Sequence, residues 1–228
     1  PNSLVLNSAM GVVELESDDD EAQKRGERRL AATLTRAEQT GQERRFAKAV
    51  TATYNNLSIG LVAKGDYVRA IRFYKQALAY TLDREKTLAG MADASVALGN
   101  ALAGENRLDG AFQMYHAAVQ VAPNHTPAQI NLGWQYHLKG QFDDAIEQYQ
   151  AVLARGANIH ARFNLGLAFL AKGDVAQAEA TYAAAVAEFG AAEAQAIGAV
   201  EELYRLMDTD IRTAAHRIAQ TYWPNGQH

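Results

Sequence analysis

Apolar and small residues recur along this chain at three- and four-residue intervals, and no stretch alternates in the two-residue rhythm of a half-buried strand. Such a pattern predicts helices throughout. Four segments also superimpose on one another. Asn131-Leu132-Gly133-x-x-Tyr136, Lys139-Gly140 and Ala145-x-x-x-Tyr149 are followed by Asn164-Leu165-Gly166-x-x-Phe169, Lys172-Gly173 and Ala178-x-x-x-Tyr182. Gly133 to Gly166 and Tyr149 to Tyr182 are each 33 residues. Upstream, Leu98-Gly99-x-x-Leu102 leads to Ala111-x-x-x-Tyr115 and Pro123, with Gly99 to Gly133 spanning 34 residues. The earliest copy holds Leu57-Ser58-x-x-Leu61, Lys64-Gly65 and Ala70-x-x-x-Tyr74.

A fixed period of this length is the mark of a stacked repeat, in which one hairpin cannot bury its apolar face alone. Small residues at Ser58, Gly99, Gly133 and Gly166, and at Ala70, Ala111, Ala145 and Ala178, let the two helices of a hairpin approach. The tyrosines one turn beyond those alanines are expected to fill the space between hairpins. Gly65, Gly140 and Gly173 break the helix where the chain reverses. Tyr74 to Tyr115 is 41 residues, about seven more than the period, so segment 82–91 is expected to lengthen the helices on either side.

This pattern resembles the tetratricopeptide repeat family, over roughly residues 51–192. The family's early tryptophan is replaced by Tyr54, Ser95, Gln129 and Arg162, and its terminal proline survives at Pro123. The resemblance implies an all-α, right-handed superhelical solenoid of antiparallel helix pairs with capping helices at both ends. The hairpins are expected at about 51–84, 92–125, 126–158 and 159–192. A flexible acidic tail over 1–20 and a cap and lead-in over 21–50 are expected before them, the first helix running from Glu21 to Gln39 with Leu30, Leu34 and Ala37 on one face. One or two capping helices and a tail are expected over 193–228, with a break at Asp208 or Thr209.

Composition narrows the chemistry. Nearly half of the 228 residues are hydrophobic, only four are proline and none is cysteine. Disulfides, thiolate nucleophiles and cysteine-held metals are thereby excluded. A net charge of −4 argues against a general nucleic-acid binder. No run approaches the ~20 apolar residues that span a bilayer, and the first twenty residues lack the basic start and apolar run of a signal peptide. A soluble protein of either cytoplasm or periplasm fits these features. Lys24, Arg25, Arg28, Arg29, Arg36, Arg44, Arg45 and Lys48 alternate with Glu21, Glu27, Glu38 and Glu43, as on a solvated helix with local ion pairs. No nucleophile–base pair, phosphate loop or metal-ligand spacing is present, and no cofactor is expected, so an enzyme is not expected.

In the family it resembles, the first helices of successive hairpins line a concave face. That register points Asn55, Ile59 and Val62 inward in the first copy and Val96 and Asn100 in the second. Ile130, Trp134 and His137 follow in the third, and His160, Phe163, Leu167 and Leu170 in the fourth. The list is apolar for a groove facing water, which marks an interaction surface. The implied function is a protein-interaction scaffold or adaptor holding an apolar or amphipathic segment of a partner. Trp134 and Phe163 would anchor it with Ile130 and Leu167 beside them, and Asn55, Asn100 and His137 would hydrogen-bond its backbone. Two alternatives stand beside this reading. The array twists tightly or its C-terminal helices fold into the groove, which makes these residues core. Otherwise the protein assembles with copies of itself through its end helices or through Leu4-Val5-Leu6.

Overall fold

The helical hairpin follows from the cap and turn chemistry repeated along the chain. Asp66, Asp83, Asn158 and Asp174 each accept a hydrogen bond from the backbone N–H three residues on, closing the first turn of the helix that follows. The chain reverses through the left-handed region at Gly65, Gly140 and Gly173, with φ of 79°, 72° and 90°. In the second copy Asn106 takes the same conformation at φ 60°. Asparagine tolerates it where a branched residue would not. That copy reverses without a glycine, a substitution that spacing alone did not reveal.

The computed structural model describes residues 7, 10–15, 17, 19–39, 41, 43–81, 83–196, 198–205 and 211–224, with the backbone alone at 20, 34, 38, 43, 45, 199, 200 and 204. Among them every regular element is a helix. Helix α1 covers 10–15. It is followed by α2 Asp20–Gln39, α3 Glu43–Ala63, α4 Tyr67–Tyr80, α5 Arg84–Gly104, α6 Leu108–Val121, α7 Thr126–Leu138, α8 Phe142–Leu153, α9 Ile159–Lys172 and α10 Val175–Phe189. The chain closes with α11 Ala191–Ala196, α12 Ala199–Arg205 and α13 Arg212–Tyr222. Two compact units result: residues 1–107 with 120–122, and residues 108–119 with 123–228. The expected positions Leu4, Val5, Leu6, Leu82, Asp208 and Thr209 lie outside the described residues, as do the side chains of Leu34, Glu38, Glu43 and Arg45.

In the first unit α3 packs along α4, and α4 along α5, over a core that includes Leu30, Tyr54, Phe73, Tyr74 and Met91. A helix at 10–15 stands where a tail without helical period was expected. Glycines explain it. The carbonyl of Gly11 lies 2.7 Å from where a Cβ on Gly26 would sit, so α1 and α2 cross with their backbones almost touching. Arg29 then grips Glu14 with two hydrogen bonds, at 3.0 and 3.2 Å, and holds that carboxyl below its ordinary range. Leu15 is buried beneath. The extra residues of the second copy lengthen only the helix that follows them: α5 has 21 residues, whereas α4 keeps 14 like α6.

In the second unit α7, α8, α9 and α10 pack in succession and α7 also touches α9. Here the role expected of the tyrosines is corrected. The Tyr149 ring lies 2.7 Å from the Cβ position of Gly133, and the Tyr182 ring 2.8 Å from that of Gly166. Each tyrosine therefore packs on the glycine of its own hairpin, and the glycine is there to admit the ring. In the first unit Ser58 fills the glycine position and bonds back to the Tyr54 carbonyl at 2.8 Å. Tyr74 packs instead on Gly90 of the next helix, at 2.7 Å.

Candidate functional site

The inner positions of α7 and α9 come together in the second unit. Ile130, Asn131 and Trp134 from α7 and His160, Phe163, Asn164 and Leu167 from α9 line a groove of about 480 Å³. Its far wall is α12, which adds Glu201, Glu202 and Arg205 beyond the loop at Gly198. Arg205 and Glu202 are ion-paired at 2.5 Å on that wall, while Glu201 is exposed. Spacing could not find these three residues. They lie past Gly190, where the repeat register stops, and Gly198 ends α11 with a φ of 77° that no expected break marked.

The chain itself occupies part of this face. Phe163 and Leu167 are 1% and 3% exposed, packed in a cluster with Leu203 of α12, Ala214, Ala215 and Ile218 of α13, and Trp223. The Trp223 indole lies 6.3 Å from the Phe163 ring and donates its N–H to the Ala191 carbonyl at 2.7 Å. Arg217 of α13 pairs with Glu179 of α10. So Phe163, Leu167 and Leu170 are core, as the alternative reading of the sequence allowed, because the C-terminal helices cover them. Ile130 and Trp134 are covered only in part, and His160 is exposed at the rim.

His137 stands next to the groove on α7. Its ring stacks on Trp134 at 5.2 Å and 7° and meets Phe142 edge-on at 5.5 Å. Burial lowers its pKa below the ordinary histidine value. It packs against the tryptophan ring.

The remaining candidates belong to the first unit. Asn55 is committed within the unit, donating from Nδ2 to Thr87 Oγ1 at 3.2 Å. Val96 is buried, because the lengthened α5 hides Ala92, Ala94 and Ser95 as well. Ile59 is 56% exposed and Asn100 is exposed. Among the described residues no group of three or more His, Asp or Glu is placed to hold a metal ion, and no helix is long and apolar enough to cross a membrane.

Sequence comparison assigns the fold its family. Tetratricopeptide repeats match at residues 53–88, 102–160 and 139–203. The chain belongs to the tetratricopeptide repeat family. Human protein O-mannosyl-transferase TMTC1 is 40% identical over 55 residues, a stretch making up 24% of this chain and 6% of that protein's length. Two solved structures share the fold of this tetratricopeptide array. The MamA RS-1 ArsTM double mutant is 20% identical with a TM-score of 0.53, over 77% of this chain and 91% of that one. MamA 41-end from Desulfovibrio magneticus RS-1 is 20% identical with a TM-score of 0.52, over 77% and 92%. As a tetratricopeptide array, the protein is a protein-interaction scaffold.

Proposed function

We propose that the scaffold holds a partner's segment in the groove between α7, α9 and α12, with Trp134 as the anchor. The observation that carries this is the pairing of walls. Trp134 and Ile130 offer a partly covered apolar surface, and across from them Glu201, Glu202 and Arg205 offer charge. A tryptophan backed by a stacked ring presents a large surface that loses little freedom on binding, which suits a hot-spot anchor. The segment that fits is amphipathic: an apolar side chain against Trp134, with a basic group reaching Glu201. Phe163 and Leu167 form the floor and are not free to act as anchors.

Trp134→Asp and Glu201→Lys separately test this in affinity captures from native lysate, followed by titration with the purified partner. Both variants are expected to keep wild-type helicity, Glu201→Lys also the wild-type melting temperature, and both to weaken the partner at least about tenfold. Equal binding by wild type and both folded variants would remove the groove from consideration. Self-association, the competing reading, is separated by light scattering. A mass that rises with concentration in wild type and not in Trp134→Asp would assign the groove to a second copy of the chain.

A further inference from the structure

Glycine inside a helix is destabilising relative to alanine because more backbone freedom is lost on folding, so each helical glycine here invites the question of what it accommodates. Three of them answer alike: Gly90, Gly133 and Gly166 each receive a tyrosine ring 2.7–2.8 Å from the Cβ position. Gly60 does not. It lies in the last turn of α3 with ordinary helical backbone, and, its own helix backbone and chain neighbours apart, no described atom stands within 4 Å of its Cβ position, as is also true of Gly104 at the end of α5. It opens instead on a cleft of about 720 Å³ in the first unit, floored by Leu57, Leu61 and Phe73 and closed on one side by Val12 and Leu15 of α1. That size exceeds one side chain and lies in the range of ligand-binding clefts.

The rim of the cleft carries its own chemistry. Asp66 and Arg69 pair with one another at 3.4 Å. Asp66 is further committed to capping α4, and Arg69 to the carbonyl of Ser17 at 3.1 Å. Lys64 adds a positive charge to that neutralised pair, so the rim favours an anionic neighbour.

We propose that this cleft is a second docking site, taking a tyrosine side chain from an acidic segment of a partner protein. The ring packs on Gly60 as the chain's own tyrosines pack on theirs. Its edge packs on Leu57 and Leu61, its hydroxyl reaches the polar rim, and flanking carboxylates meet Lys64. The site is independent of the Trp134 groove and stands or falls without it.

The test uses the full chain and a short acetylated peptide with one central tyrosine among glutamates and aspartates, beside the same peptide with leucine at the centre. Amide shifts followed by NMR are expected to map binding to residues around Gly60 and Leu15, with Kd below about 1 mM for the tyrosine peptide and at least about tenfold weaker for leucine. Gly60→Leu fills the cleft at a position with open space and ordinary helical backbone. It is expected to keep or raise the melting temperature while weakening the tyrosine peptide at least about tenfold. Gly60→Ala is the milder second variant, and Lys64→Glu should weaken binding with the melting temperature unchanged. The proposal is overturned if the tyrosine peptide fails to bind at millimolar concentration, if folded Gly60→Ala and Gly60→Leu both bind as wild type does, or if the shifts map to Trp134.

Discussion

At the scale of single residues, His137 shows how Trp134, the proposed anchor, depends on its neighbours. The ring lies between Trp134 and Phe142, and its Nδ1 is buried with no hydrogen-bond partner among the described residues. Desolvation disfavours the imidazolium, so the folded pKa lies below the ordinary value of 6.5. In the window between the two values the unfolded chain binds a proton that the folded chain does not, and there stability falls as pH falls. His137 therefore contributes its full share above the unfolded value, and that share is lost as pH drops through it toward the folded value. Chemical denaturation of wild type and His137→Phe from pH 7.5 to 4.5 should show wild type losing stability relative to the variant as pH drops below 7. Parallel curves would mean that the imidazole protonates in place. Sequence register located His137 near Trp134 correctly but assigned it a hydrogen-bonding role. Stacking depends on rotamers, which spacing does not encode.

At the scale of elements, the family's missing tryptophans are not gaps but a set of exchangeable clasps. Three of the four substituted positions face the residue 26 further on, at or near the end of the second helix, while Ser95 bonds back to the Met91 carbonyl of its own helix. Tyr54 stacks on Tyr80 at 6.3 Å and 5°, Gln129 accepts a hydrogen bond from Arg155, and Arg162 pairs with Glu188 at 3.1 Å. One geometric slot is thus filled by an aromatic stack, a neutral–cation bond or an ion pair. Gln129 is 5% exposed, so Arg155→Ala strands a buried carbonyl oxygen and should cost about 1–3 kcal/mol. Adding Gln129→Met removes the stranded group and should recover most of that loss in urea titrations. An additive double variant would show that the slot is not a unit. Repeat period and turn glycines made the hairpins legible in the sequence, because spacing in a helix translates directly into faces. The clasps were not legible, since the three pairs have no residue type in common at either position and become equivalent only when the helices are placed.

At the scale of the chain, stability is organised as local clusters rather than one core, as stacked repeats require. Within the second unit one cluster joins α8 and α9 through Ile146, Tyr149, Val152 and Leu165, and another joins α9 and α10 to α12 and α13 through Phe163, Leu203, Ile218 and Trp223. The second cluster explains why the concave face was only half readable. The same register that points Phe163 and Leu167 inward also makes them the surface on which the chain's own last helix lands, and no repeat pattern beyond Gly190 announces that landing. Trp223→Ala tests the arrangement. It removes both the ring beside Phe163 and the indole bond to Ala191, at an expected cost of about 3–5 kcal/mol. Hydrogen exchange should show protection lost first in α12, α13 and the facing turns of α9 and α10, with α7 and α8 retained. Loss spread evenly over α7 to α13 would instead mean that the two clusters melt as one. Because α12 forms the charged wall opposite Trp134, the first outcome bears on the proposed function: loosening Trp223 would open the groove while leaving Trp134, its proposed anchor, in place.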